Sequence, residues 1–199
     1  MKKNRFVAII GTDGSGKSTL VSELENALGV QKREIAVVPR TIKENAGKHY
    51  ELPKHSVFLS LVKLFLRGTK WFIQYHLRFA PLMRRGQVII CDRFYLDELL
   101  IDPLRYRYNA PAGITRFVRN LLPHPSLYIL LDAPEDVLFS RKQEISLDEL
   151  RDLRLRYLNW IRQQPNNHIL DATLPMEDVK RKAQEIIRDW LEKDRSNKD

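Results

Sequence analysis

Cysteine is almost missing. Cys91 is the only one in 199 residues, so an intrachain disulfide and a cysteine-based metal cluster are both excluded. Its neighbours Val88-Ile89-Ile90 make it a thiol packed within a buried strand. Long apolar runs are absent as well. The longest, from Ser56 to Leu66, is broken by Lys63 and is too short to cross a bilayer. Met1-Lys2-Lys3-Asn4 leads straight into the first apolar stretch, which leaves no room for a secretory leader, and a cytoplasmic protein is expected. There is no internal repeat and no low-complexity linker. A single domain over residues 1–199 is therefore expected, long enough to bury a substantial core. Acidic residues are outnumbered, 25 against 34 Lys and Arg, for a formal charge of +9. The basic residues are dispersed over helices, however, and neither a zinc finger nor an RNA-recognition signature occurs. Nucleic acid is not expected as a partner. Phosphate-bearing small ligands account for part of the excess charge.

What is present is concentrated near the start. Gly11-Thr12-Asp13-Gly14-Ser15-Gly16-Lys17-Ser18-Thr19 follows the β-branched run Arg5-Phe6-Val7-Ala8-Ile9-Ile10, which reads as a buried strand. It precedes Leu20, Leu24, Ala27 and Leu28, one apolar helical face closed by Gly29. Strand, glycine loop, Lys-Ser and helix together make a P-loop in its required context. The glycines let backbone N–H groups turn inward around phosphate oxygens at a helix N-terminus. Lys17 is the mobile charge for the outer phosphates, and the Ser18 hydroxyl is placed for Mg²⁺.

The remaining chain alternates strands and helices, which implies an α/β fold with a parallel sheet covered on both faces. Further strands are expected at Glu34–Val38, Gln87–Cys91, Ser126–Leu131 and His168–Leu170. Arg40 to Leu52 reads as a loop. His55 to Arg85 reads as two helices divided near Gly68-Thr69, Tyr95 to Leu104 as helical and Gly113 to Leu122 as a short helix. Pro134-Glu135-Asp136 opens another helix, and Ser146 with Glu149 forms a capping box for one reaching Arg162. Met176 to Trp190 has the face of a last helix, with a fraying tail from Glu192.

A P-loop names a nucleotide and not a reaction. Asp92-Arg93-Phe94-Tyr95 lies at the carboxyl end of the third strand, where ligands of open α/β sheets sit, so Asp92 and Arg93 face the P-loop crevice. The carboxylate is suited to holding Mg²⁺ or accepting a proton, and the guanidinium to clamping a phosphate. No Asn-Lys-x-Asp guanine motif is present, which argues against a GTPase switch.

With these residues in place, the chain resembles the thymidylate kinase family. The resemblance runs through Gly11–Thr19, Val88-Ile89-Ile90-Cys91-Asp92-Arg93-Phe94, Leu131-Asp132-Ala133-Pro134-Glu135, Arg141-Lys142-Gln143-Glu144 and Leu170-Asp171-Ala172. It implies a P-loop NTPase three-layer fold, a five-stranded parallel sheet in the order 2-3-1-4-5 flanked by helices. It also implies ATP and Mg²⁺ as donor and cofactor, and transfer of a phosphoryl group to a nucleoside monophosphate, dTMP to dTDP. Asp13 would approach the acceptor's sugar hydroxyl, Asp92 and Arg93 would serve metal and phosphates, and Arg141 and Lys142 would belong to a lid around residues 141–147. The expected catalytic set is Lys17, Asp92, Arg93 and Arg141. ATP falls to Gly11, Thr12, Asp13, Gly14, Ser15, Gly16, Lys17, Ser18 and Thr19 with Arg141 and Lys142. The acceptor falls to Asp13, Arg93, Tyr95 and Arg105, and the metal to Ser18 and Asp92.

Two stretches depart from the family pattern. The helix arginine about twenty residues before the Asp-Arg pair is replaced by Trp71-Phe72-Ile73-Gln74, and the Ser-rich segment ending Tyr-Gln is replaced by Asp97, Asp102, Arg105, Tyr106 and Arg107. Weak turnover of dTMP is expected on that ground. The alternatives are a kinase for a nucleoside, sugar or sugar-phosphate, and a P-loop ATPase or binding protein that is no kinase. Val57-Phe58-Leu59, Leu61-Val62, Leu64-Phe65-Leu66 and Trp71-Phe72, bordered by Lys63, Arg67, Lys70, Arg78, Arg84 and Arg85, exceed what one helix face buries. A homodimer through these helices, as the family pairs, is expected ahead of contact with a membrane surface.

Overall fold

The computed structural model describes residues 5–29, 35–38 and 52–196. A parallel sheet forms its centre, with strands β1 (Phe6–Ile10), β2 (Ile35–Val38), β3 (Val88–Asp92), β4 (Leu127–Asp132) and β5 (Asn167–Asp171) side by side in the order β2-β3-β1-β4-β5. β1 lies between β3 and β4, with Ala8 opposite both Cys91 and Tyr128. The helices are α1 (Lys17–Gly29), α2 (Val57–Gln74), α3 (Ala80–Arg84), α4 (Tyr95–Ile101), α5 (Ala112–Leu121), α6 (Glu135–Arg141), α7 (Leu147–Ile161) and α8 (Met176–Ser196).

The near-continuous apolar runs of the central strands follow from burial on both faces. Successive side chains point to opposite sides. Phe6, Ala8, Ile10, Ile89, Cys91, Tyr128 and Leu130 therefore enter one core with Leu64 of α2, Leu96 of α4 and Tyr157 and Ile161 of α7. Val7, Ile9, Ile90, Ile129 and Leu131 enter the other with Leu20 and Leu24 of α1 and Val179, Ala183, Ile187 and Trp190 of α8. Cys91 is buried and free, as its strand position requires.

Three boundaries differ from expectation. The helix after His55 does not divide at Gly68: α2 runs through it to Gln74, and the irregularity comes at Tyr75–Phe79, a π-helical turn ahead of Pro81. Gly68 serves packing. A Cβ there would lie 3.3 Å from Leu122 and 3.8 Å from Val118, so the missing side chain admits α5. Pro81 lacks a backbone donor and crowds the carbonyl of the preceding turn, which accounts for the widened turn before it. The helix from Tyr95 stops at Ile101, short of Pro103. The last helix continues past Glu192 to Ser196 instead of fraying there. The loop read over Arg40 to Leu52 lies almost wholly outside the described residues. In the following segment Ser56 caps α2, its Oγ accepting from the Leu59 N–H at 3.2 Å. The Ser146–Glu149 capping box forms at the start of α7.

Candidate active site

The loop between β1 and α1 has the backbone that its glycines make accessible. Gly11 (φ 145°) and Gly14 (φ 83°) adopt positive φ, and a Cβ at each would fall 2.5 Å from the Leu131 carbonyl oxygen and 2.8 Å from that of Leu138. Neither position tolerates a side chain, because both the dihedral and the space exclude it. The loop is thus wrapped by the end of β4 and by the end of α6, where the Cβ atoms of Arg141 and of the following Lys142 face Gly14.

Lys17, 5% exposed, donates through Nζ to the Thr12 carbonyl oxygen and to Ser15 Oγ. Burial, then the charge of Arg93, pulls its pKa down to about 7 against the opposing carboxylates of Asp13, Asp92 and Glu98. Ser18 Oγ donates to Asp92 Oδ2 at 2.6 Å. The other oxygen, Asp92 Oδ1, is buried without a hydrogen-bond partner. A hydroxyl beside a carboxylate with one uncommitted oxygen fits Mg²⁺, which takes one or two protein oxygens and completes its shell from water and substrate phosphates. No cluster of three His, Cys, Asp or Glu that could hold a metal unaided occurs among the described residues.

Arg93 directly follows β3 with φ 65°, a left-handed conformation that costs a non-glycine residue on the order of 1–3 kcal/mol and is characteristic of functional positions. Its Nη2 donates to Asp13 Oδ1 at 2.5 Å and its Nη1 to Glu98 Oε2 at 3.1 Å. The second oxygen of Asp13 accepts from Arg105 Nη1 at 2.6 Å. Burial pushes the Asp13 carboxyl up, but the charges of Arg93, Lys17 and Arg105 outweigh it and hold the group well below the usual carboxylate range. Asp13, Arg93 and Arg105 are therefore one ion cluster, brought together from the P-loop, the end of β3 and the loop after α4.

Two cavities flank the cluster. One, of about 280 Å³, is lined by Gly14, Ser15, Gly16, Arg141, Ala172, Leu174, Met176 and Val179. Arg141, at the last turn of α6, donates to the Ala172 carbonyl oxygen at 2.9 Å across it. Lys142 pairs with Glu144 at 2.7 Å. Arg141 thus faces this cavity rather than the Asp13–Arg93 cluster.

The other, of about 310 Å³, opens beside Arg93 and Tyr95. Its walls include the expected Arg93 and Tyr95, and also Arg67, Lys70, Trp71 and Gln74 of α2, which the sequence reading left out of the site. The Arg67 guanidinium lies 4.5 Å from the centre of the Tyr95 ring. Residues 71–74 contain no arginine, but Arg67 and Lys70 of the same helix line the same cavity. Their signal was the spacing: 67, 70, 71 and 74 share one helical face. These two basic residues, read from sequence as the border of an apolar surface, belong to the cavity. Trp71 is held by stacking on Phe6 at 5.4 Å and by donation from Nε1 to the Pro123 carbonyl oxygen at 2.7 Å.

Beyond the expected set lie Glu98 and Tyr157. Both are buried, and the Tyr157 hydroxyl is 2.9 Å from each Glu98 oxygen. Nothing in their local sequence marks them, since they meet only when α4 and α7 pack.

Comparison with known proteins gives one family. The thymidylate kinase family model matches residues 9–183. A thymidylate kinase of Chlamydia felis is 31% identical over 197 residues, covering 86% of this chain and 91% of its own. Probable thymidylate kinases of Pyrobaculum aerophilum and Saccharolobus solfataricus are each 27% identical, covering 94% and 92% of this chain and 94% and 97% of their own. The match takes in the P-loop, the Asp-Arg pair at the end of β3 and the α6 end that faces it, and the chain belongs to the thymidylate kinase family.

Proposed function

We propose that this protein transfers the γ-phosphoryl group of ATP to a nucleoside monophosphate, with dTMP the leading acceptor. The observation that carries the choice of acceptor is the state of Asp13. Both of its oxygens are committed to arginines and its affinity for protons is depressed, which makes it a poor general base. Glu98 is likewise committed to Arg93 and Tyr157, and the carboxylate with an oxygen to spare, Asp92, is in this reading taken up with Ser18 by Mg²⁺. An acceptor hydroxyl needs a carboxylate to take its proton, whereas a phosphate oxygen is already anionic and needs none. The geometry thus favours a monophosphate over a nucleoside or a sugar. The names of the relatives point the same way.

In this reading the P-loop N–H groups and Lys17 hold the donor phosphates. Arg93 neutralises charge on the transferring group, while Asp13 and Arg105 orient it and meet the acceptor's sugar and phosphate. Ser18 and Asp92 would hold Mg²⁺, which would supply charge neutralisation to the donor phosphates. The acceptor's body would lie against Trp71, Phe94 and Tyr95, with Arg67, Lys70 and Gln74 reading its polar edge. Residues 141–147 act as a short lid whose Arg141 and Lys142 close over ATP and exclude water. The chain works as one domain on the five-stranded order 2-3-1-4-5, in the cytoplasm.

The same proposal includes a homodimer. α2 buries only Ser60, Leu64 and Gly68, whereas Phe58 and Phe65 are 77% and 71% exposed on its outer side. An apolar face of that kind on one long helix suits a second copy better than water.

The test is steady-state ADP release with dTMP, other monophosphates, nucleosides and sugars side by side. Turnover in the ordinary enzymatic range, ~1–10³ s⁻¹, is expected with dTMP, in place of the weak turnover read from the two sequence departures, because Arg67 and Lys70 line the cavity beside Arg93 and Tyr95. A protein that turns over only a nucleoside or a sugar, or releases ADP equally without any acceptor, would overturn the reading.

A further inference from the structure

Arg93 is held at both ends of its guanidinium. Asp13 takes Nη2 and Glu98 takes Nη1, while Nε is buried without a partner. Glu98 is fully buried, as is the hydroxyl that faces it, Tyr157 Oη, equidistant at 2.9 Å from the two carboxylate oxygens. A buried carboxylate is expensive unless its oxygens are met by charge and hydrogen bonds. Burial raises the Glu98 pKa, with the charges of Arg93 and Arg105 opposing it. A leucine or glutamine would be a cheaper occupant for a core position, so a purely structural account leaves the choice of Glu unexplained.

The neighbours restrict where Glu98 can point. The preceding residue, Asp97, turns the other way and binds Arg119 and the Tyr128 hydroxyl, which pins the first turn of α4 to β4 and α5. Tyr157 sits on α7, the helix that begins directly after residues 141–146. Arg154, one turn earlier on α7, binds both oxygens of Asp132 at the end of β4, at 2.7 and 2.8 Å. α7 is therefore tied to the carboxyl end of the sheet, and Tyr157 carries that fixed position to Glu98.

We propose that Glu98 is a positioning residue for Arg93, and that Tyr157 sets its orientation. The pair spends one N–H of each Nη on a carboxylate and so fixes the plane of the guanidinium beside the cavity that Arg93 helps to line. The expectation rests on the reading of Arg93 as the cation at the transferring group. A misplacement on the order of 1 Å costs about 10²-fold in rate where geometry is limiting.

The experiment uses the full chain with Glu98→Ala, Glu98→Gln, Glu98→Asp and Tyr157→Phe, with dTMP as acceptor. Glu98→Ala is expected to lower kcat about 10²-fold, with the KM for ATP within about twofold of wild type, since the P-loop is untouched. Glu98→Asp should recover part of that loss. Tyr157→Phe, which removes one charge-assisted hydrogen bond, should lower kcat about tenfold. Thermal midpoints are measured on all four. A kcat for Glu98→Gln and Tyr157→Phe within threefold of wild type overturns the proposal. So does a loss of kcat, ATP affinity and thermal stability in step, which is what a structural carboxylate would produce.

A second readout needs no acceptor. In protein labelled with ¹⁵N-arginine, the Arg93 guanidinium resonances are expected to be distinct in the wild type and averaged in Glu98→Ala. Unchanged Arg93 signals overturn the positioning role, whatever the enzyme phosphorylates. Absence of turnover by wild type on every monophosphate would instead overturn the proposed acceptor.

Discussion

Replacing Lys17 by Met tests the electrostatics of the site through stability as well as rate. Lys17 is buried among the P-loop, Arg93 and three carboxylates, and its pKa falls from 10.5 to about 7 in the folded protein. Between those values the unfolded chain holds a proton that the folded chain has released. Stability rises with pH wherever the unfolded state binds more protons, so the folded protein should gain stability as pH goes from 7 toward 10.5. Integrated from pH 7 to 9, this single group contributes about 2 kcal/mol. For a chain of this size that is a rise of about 4–8 °C in thermal midpoint. Lys17→Met lacks the titrating group and should show no such rise. Its turnover should also fall by at least ~10². The measurement is a pair of thermal or denaturant unfolding curves at pH 7, 8 and 9 for both proteins. Groups that titrate equally in the two, such as the α-amino group, cancel in the difference. Burial takes the one thiol, Cys91, well above this window, and His124 and His168 are displaced below their ordinary value. Parallel pH profiles for wild type and variant, or undiminished turnover in Lys17→Met, would refute the argument.

Gly14→Ala should destabilise by about 1–3 kcal/mol and lower kcat/KM for ATP about 10²-fold, because φ is 83° and the new Cβ would meet the Leu138 carbonyl oxygen. Circular dichroism with ATP-dependent kinetics checks it, and a variant with normal ATP kinetics would contradict the loop geometry. Phe65→Asp should turn a dimer into a monomer in sedimentation velocity without loss of fold. A wild type that is strictly monomeric and binds anionic vesicles would shift the α2 face from pairing to a membrane surface.

The parts of this protein that sequence alone determined are those governed by neighbouring residues. Gly11, Gly14 and Gly16 dictate a backbone that other residues resist, and the apolar run before them can only be a strand buried on both faces. Asp92 and Arg93 follow such a strand, so their arrival at its carboxyl end needs no knowledge of the rest of the fold. Caps obey the same logic, as Ser146 with Glu149 illustrates. Tertiary structure decided what depends on distant segments meeting. That Asp13 is shared by Arg93 and Arg105 required the loop after α4 to fold back over the P-loop. That Arg67 and Lys70 line a cavity depended on which side of α2 faces the sheet, and an amphipathic helix with apolar residues on nearly every side does not declare it. Gly68 looked like a break because glycine is a poor helix former, but contact with Leu122 and Val118 outweighed the modest cost of about 1 kcal/mol. Glu98 and Tyr157 lie 59 positions apart, and only the packing of α4 against α7 puts a hydroxyl on a carboxylate that local sequence would assign to solvent.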